Sequence, residues 1–280
     1  MSLLYLATGL LFHVIFAQSY KYAVEGCYDT DVVNTCGYIC SAIIVGGYLL
    51  IARTPLNTRA IVLGGFEGVT LFLSLLAYFR AIRYGSMGIS WMIVGLSFII
   101  PTLASILFWG EMPNPVQMVG IMLLLFSVVT VANVEMSQLS RPWVWATWIG
   151  LTFVSSGIGG TVFKLFEEQG TGLHRPLFQF SMYSCALLLN VPWSLRGGHT
   201  PTRKEICLGT VRGLASVLAN SSYLAAVHGL VGFLVFPIYN AAGILLNTLA
   251  SAKLWGERTS TRSALGIVLA IVGIACLGYG

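Results

Sequence analysis

PTLASILFWGE, Pro101 to Glu111, returns almost intact as NTLASAKLWGE, Asn247 to Glu257, with seven of eleven positions identical. The copies stand 146 residues apart in a chain of 280, so one unit is written twice. Working outward, Gly120-Ile121 is answered by Gly266-Ile267 at the same offset. Leu63-Gly64, Gly68, Tyr78 and Ala81 are answered by Leu208-Gly209, Gly213, Tyr223 and Ala226 at an offset of 145. A weaker echo joins Gly9-Leu10-Leu11-Phe12 to Gly150-Leu151-Thr152-Phe153. The repeat therefore divides the chain into residues 1–140 and 141–280.

The solvent for this chain is lipid. It is 56% hydrophobic and 9% charged, with a mean hydropathy of +0.83, and lacks the polar surface a soluble domain of this size needs. Apolar runs of about 20 residues, each long enough for a membrane-spanning helix, fall near 3–20, 34–52, 60–80, 86–108, 116–134, 143–163, 176–195, 206–227, 231–252 and 263–279. Barrel strands would be shorter and strictly alternating. The expected fold is an all-α membrane protein of ten transmembrane helices. Five spans per half is an odd number, so the second copy starts from the opposite face and the halves are inverted repeats. Such halves enclose a site near the midplane that opens alternately to either side. The first run, MSLLYLATGLL, has no basic residue ahead of it and no clean cleavage pattern, and is read as a retained helix.

A Gly-Glu pair ends the fourth span of each half, Gly110-Glu111 and Gly256-Glu257, and is followed at matched positions by Gly120 and Gly266. With ten helices in a fivefold-plus-fivefold repeat, the chain resembles the drug/metabolite transporter superfamily, EamA-like branch, along its whole length. The resemblance implies a ten-helix inverted-repeat transporter in a plasma or inner membrane, moving small organic solutes through a central cavity. The first copy reads Gly-Glu-Met where the family often carries a basic residue, whereas Gly-Glu-Arg of the second copy follows the pattern. Glu111 and Glu257 themselves read as structural, because a carboxylate at a helix boundary caps or neutralises a following helix N-terminus.

Site candidates are the polar residues deep in the spans, which are costly in hydrocarbon unless they face a cavity or one another. Glu67 is the one acid and Arg212 the one base well inside an expected span. They occupy matched positions in matched frames, Gly64-x-x-Glu67-Gly68 and Gly209-x-x-Arg212-Gly213, each a GxxxG that lets helix backbones approach. Either they neutralise each other or they bind solute. Polar stripes at helical spacing run along Glu67, Thr70, Ser74 and Tyr78, and along Arg212, Ser216, Asn220 and Tyr223. Others run along Asn34, Tyr38, Ser41 and Tyr48, along Gln179, Tyr183 and Asn190, along Tyr5, Gly9 and His13, and along Asn240, Gly243 and Asn247. Such stripes line a solute path or hold helices together. The substrate-binding candidates are Glu67, Arg212, Tyr78, Tyr223, Asn240 and His13, the last either a proton-exchanging group or a neutral member of the bundle. Pro101 and Pro237 fall inside spans and are expected to bend or break them.

Other functions leave no mark. There is no phosphate-binding G-x-x-x-x-G-K-[ST], no H-E-x-x-H and no G-x-S-x-G. Asp29 and Asp31 share one loop, so no intramembrane aspartyl pair is available. A secondary transporter is the reading; a non-transporting accessory membrane protein and a membrane-embedded enzyme are the alternatives. The expected partners are a small-molecule solute and the lipid bilayer. The net charge of +5 reflects helix ends, not nucleic acid, and no cofactor or metal is implied. Of six cysteines only Cys27 and Cys36 share a loop, unpaired or, on an oxidising side, bridged.

Overall fold

The computed structural model describes residues 1–85, 87–131, 141–168, 172–196, 198–256 and 261–279. It is helical throughout this range: α1 (Ser2–Glu25), α2 (Thr30–Ala52), α3 (Thr58–Ala81), α4 (Met87–Leu96), α5 (Ile99–Trp109), α6 (Pro115–Val131), α7 (Pro142–Glu168), α8 (Arg175–Leu195), α9 (Arg203–Gly229), α10 (Gly232–Trp255) and α11 (Thr261–Leu277). Each expected span has its helix, and α4 with α5 make one broken span. Pro101 explains the break. It has no amide to give the carbonyl of Ser97, so that carbonyl takes the Ile100 amide instead at 3.1 Å, and the chain turns at Ser97–Phe98. Pro237 is accommodated inside a continuous α10.

The ends of these helices follow from local chemistry. Asp29 accepts the amides of Asp31 (2.8 Å) and Val32 (3.2 Å) and caps α2. Thr202 and Glu205 exchange hydrogen bonds as a capping box at the start of α9. The repeated Trp-Gly-Glu is a helix stop: α5 and α10 end at its tryptophans, and Gly110 (φ 66°) and Gly256 (φ 67°) take the left-handed conformation that glycine adopts without a Cβ penalty. Glu257 lies outside the described residues.

Five helices, α1, α2, α3, α7 and α10, are long and apolar enough to cross a membrane by length and composition alone. The less apolar α8 and α9 carry Gln179, Tyr183, Asn190, Arg212, Ser216 and Tyr223, all of them buried. The polarity of these two helices is thus turned inward.

Packing divides the chain into two compact units, Met1–Phe72 with Leu165–Gly229, and Leu73–Lys164 with Leu230–Gly280. Each draws on both sequence repeats. Within the first unit, Gly64 and Gly68 of α3 lie on α8: a Cβ at Gly64 would meet the Phe178 carbonyl and Ser181, and one at Gly68 would come 2.5 Å from the Met182 carbonyl and 2.7 Å from Cys185. The same contacts recur 145 residues on. Gly209 of α9 lies against Val33 and Cys36 of α2, and a Cβ at Gly213 would come 2.5 Å from the Gly37 carbonyl and 2.9 Å from Cys40. In the second unit Gly120 of α6 packs on the Gly273 carbonyl of α11. Ser127 Oγ reciprocally donates to the Gly266 carbonyl at 2.8 Å. Equivalent residues make equivalent contacts, as a two-fold relation between the repeats requires. Cys36 sits within α2, not in the loop with Cys27, and neither is bridged.

These contacts are backbone to backbone, so any side chain must displace a helix. Gly68→Ala and Gly213→Ala are each expected to lower stability by about 1–3 kcal/mol, the usual cost of overpacking, whereas Gly47→Ala, which faces open space, is expected to be neutral. Thermal unfolding of the purified variants in detergent checks this.

Candidate functional site

The first unit holds Arg212, the residue about which its polar interior is arranged. Its side chain is 1% exposed. The guanidinium carbon stands over three rings, 5.3 Å from the centroid of Phe16, 5.0 Å from Tyr20 and 4.6 Å from Tyr38. Nη1 donates to the carbonyl of Asn34 at 3.3 Å, and the Tyr20 hydroxyl donates to Asn34 Oδ1. Nε has no hydrogen-bond partner among the described residues. Gly37 makes the space, since a Cβ there would collide with Nη1. Among the described residues no carboxylate pairs with Arg212.

Energy decides whether such an arrangement can persist. A charge at mid-span costs about 2.5–3.5 kcal/mol on insertion scales, and a desolvated cation over a ring recovers roughly 0.5–2 kcal/mol per ring. Three rings offset the cost. Aromatic faces hold the cation but do not neutralise it or use up its N–H groups.

Around this cage the stripes interlock. Tyr183 Oη and Ser216 Oγ are 3.0 Å apart, and Asn220 Nδ2 donates to Tyr183 Oη at 2.9 Å. Ser41 Oγ donates to the Gly213 carbonyl at 3.0 Å, and Ser221 Oγ to Gln179 Oε1 at 3.1 Å. The Gln179 amide nitrogen is buried without a partner among the described residues. Tyr223 is buried on the same helix as Arg212. His13 stacks on Phe16, with centroids 6.1 Å apart, and so reaches the cage through that ring. Tyr5 and Tyr48, expected to extend two stripes, are instead exposed.

Glu67 makes no ion pair with Arg212. Its side chain, 5% exposed, is met by Thr70 Oγ1 at 2.7 Å from Oε2. Tyr78 and Asn240 belong to the second unit. There Tyr78 meets Trp91 edge-on at 5.7 Å, and its hydroxyl is buried without a partner among the described residues. Asn240 Nδ2 donates to the Phe236 carbonyl of its own helix at 2.9 Å. Ser74 Oγ and Ser156 Oγ approach to 2.6 Å.

Sequence reasoning missed Phe16 and Tyr20, although the stripe through His13 continues at helical spacing to both. It also missed two polar anchors near helix ends, Glu167 and Glu205, and the partners of a third, Glu111, which reads as a helix cap. Glu111 accepts Lys164 Nζ at 2.7 Å, Ser105 Oγ at 2.5 Å and the amides of Gly232 (2.6 Å) and Phe233 (3.3 Å). It therefore caps α10, not α6, the next helix along the chain. Glu167 takes Arg175 through both carboxylate oxygens at 2.6 Å, with His228 Nδ1 3.3 Å away. Glu205 accepts the Asp29 amide at 2.9 Å, the Thr202 amide and hydroxyl at 2.8 Å and approaches His199 Nε2 at 3.0 Å.

The last anchor, at the mouth of α9, titrates. Burial alone pushes the Glu205 carboxyl up, but the Thr202 and Asp29 amides, with His199 and the Thr202 hydroxyl, outweigh it and hold the pKa at about 2. The hydrogen bond to Glu205 and its charge raise His199 above its ordinary value. A depressed carboxyl stabilises the fold above its ordinary pKa of 4.5 and loses that contribution as pH falls toward 2. A raised imidazole stabilises below its ordinary 6.5 and loses its contribution as pH rises through the raised value. Both act together between these limits. The unfolding temperature difference between the protein and Glu205→Gln is therefore expected to peak from about pH 4.5 to 6.5 and shrink on either side.

Residues 1–133 match the model of the EamA-like transporter family. Over these residues the chain is similar to that family. A crystal structure of a protein 15% identical in sequence superposes with a TM-score of 0.77, covering 98% of this chain and 95% of its own, so the two share one fold over nearly their whole lengths. An uncharacterized protein of Haemophilus influenzae is 28% identical over 195 residues, which are 66% of this chain. The chain spans 64% of the length of that relative. This similarity and the apolar helices make the chain a multi-pass integral membrane protein.

Proposed function

We propose that the protein is a secondary transporter, a permease that moves a small polar or amphiphilic organic metabolite by alternating access through a central cavity. The observation that supports this most is Arg212, a cation inside a span, encircled by aromatic rings and lacking a carboxylate partner among the described residues. Its unpaired Nε and neighbouring hydroxyls suit an anionic group of the solute, to which a guanidinium binds in a planar, directional way. Glu67, Tyr78, Tyr223, Asn240 and His13 are proposed as further solute contacts along the path. The match of residues 1–133 to a family of transporters supports this reading over an enzymatic one.

The test is a thermal-shift screen of carboxylates, amino acids, sugars, nucleosides and amines on purified protein, followed by counterflow in proteoliposomes with the solutes that stabilise it. Solutes bearing an anionic group are expected to shift unfolding and to exchange. A protein that exchanges none of them and instead assembles with a membrane partner would be the accessory protein of the alternative reading.

A further inference from the structure

Glu67 is a buried carboxyl in a membrane span, and no basic side chain pairs with it among the described residues. One turn along α3, Thr70 Oγ1 lies 2.7 Å from Glu67 Oε2 and 2.9 Å from the Glu67 carbonyl oxygen. A hydroxyl has one proton to donate. An ionised carboxylate and a carbonyl only accept, so between them they would leave one of these two contacts without a proton of its own. If the carboxyl carries a proton, Oε2–H donates to Thr70 Oγ1, Thr70 donates to the carbonyl, and both are complete hydrogen bonds. The three oxygens are set to hold a proton at Oε2.

The side chains packed on this face do not offer another charge in its place, and where α3 meets α7, through Ser74 and Ser156, the α7 ammonium of Lys164 is engaged by Glu111. Gly64 and Gly68, on the same face of α3 as Glu67, bring Phe178, Ser181, Met182 and Cys185 of α8 against it, and of these only the Cys185 thiol titrates. The one charged residue of α8, Arg175, is engaged at the helix start by Glu167. Tyr183 of α8 faces Ser216 and Asn220, and Arg212 of α9 sits in its cage. In hydrocarbon a carboxyl without a cation is favoured neutral, so moving it across a low-dielectric barrier requires loading it with a proton.

We propose that Glu67 is the proton-binding group of a proton-coupled transport cycle, taking a proton at Oε2 from the aqueous phase on one side and releasing it to the other. The proposal rests on the transporter reading. Arg212 holds the anionic group of the solute and Glu67 the proton, so loss of the gradient response and loss of solute binding can be read separately.

Two measurements test it. Infrared difference spectra of the purified protein across pH are expected to show a titrating protonated-carboxyl band that Glu67→Gln abolishes and Thr70→Val shifts. In proteoliposomes holding a trapped pH dye, a short-chain carboxylate and a zwitterionic amino acid serve as probe solutes. Wild-type protein is expected to accumulate the transported probe about tenfold per unit of imposed pH gradient at one proton per solute, one unit being worth ~1.4 kcal/mol per proton. Glu67→Gln is expected to lose this accumulation, and whatever counterflow it retains is expected to lose its dependence on pH. No band assignable to Glu67, or gradient-driven accumulation by Glu67→Gln equal to wild type, overturns the proposal. Wild-type counterflow without accumulation overturns coupling and leaves the transporter reading standing, whereas a protein that moves no probe in any condition removes both.

Discussion

Arg212→Gln is expected to abolish solute binding while leaving the protein at least as stable as before. The two effects separate because Arg212 has no carboxylate partner among the described residues, so its removal leaves no opposing charge stranded. Losing the charge saves about 2.5–3.5 kcal/mol of insertion cost, which compensates for the three ring contacts. Binding of an anionic group should fall by roughly a hundredfold or more, within the ~2–5 kcal/mol typical of truncating one partner of a buried charged hydrogen bond. Arg212→Lys keeps the charge but not the planar fork, and should not restore affinity. The double variant Glu67→Gln with Arg212→Gln should show added losses, not rescue, because the two residues are not each other's partners. Binding by thermal shift and flux per folded protein measure both outcomes. A large drop in unfolding temperature for Arg212→Gln, or near-normal flux in the double variant, would make the cage a structural device.

Glu111 carries the largest expected effect on stability. Its carboxylate neutralises Lys164, whose side chain is 5% exposed, and closes the first amides of α10. Glu111→Gln takes the carboxylate out of a buried ion pair, a change that costs about 3–5 kcal/mol, and weakens a helix cap worth ~1 kcal/mol. Glu111→Gln with Lys164→Met should return part of that loss, since both members of the pair are then neutral while the cap stays weakened. Denaturant or thermal unfolding of the two single variants and the double one gives the coupling. An additive double variant would mean that the ion pair is only a contact of convenience.

Much of this architecture was legible in the sequence. The spans are written in apolar length, the break before α5 in Pro101, the helix stops in Trp-Gly-Glu, and the backbone contacts of α3 and α9 in their paired glycines. Local rules suffice for these features. The partner of Glu67 was not legible. Matched numbering suggests a pair with Arg212, but equivalent residues of two related repeats meet only beside the axis that relates them. Here α3 packs on α8 and α9 packs on α2, so the two residues face different neighbours. The aromatic cage was half legible, because Phe16 and Tyr20 continue the face of His13, while Tyr38 and the space left by Gly37 arrive from another helix. Glu111 was legible as a cap, but which helix it caps is a long-range fact. Glu167 and Glu205 escaped notice because they stand at helix ends, where charge attracts no attention until its partners are known. The Thr202-x-x-Glu205 pattern was a usable signal for the second.

The recurrence of the glycine contacts has a consequence for reading variants of this protein. A tolerance measured at one residue of α3 or α8 forecasts the tolerance of its counterpart 145 positions away, because both are judged by the same opposing backbone. A substitution scan of the chain should therefore contain its own echo along the interfaces and fall silent at Glu67 and Arg212, where the two repeats have parted company in charge. Where the echo fails, the two positions answer to different neighbours.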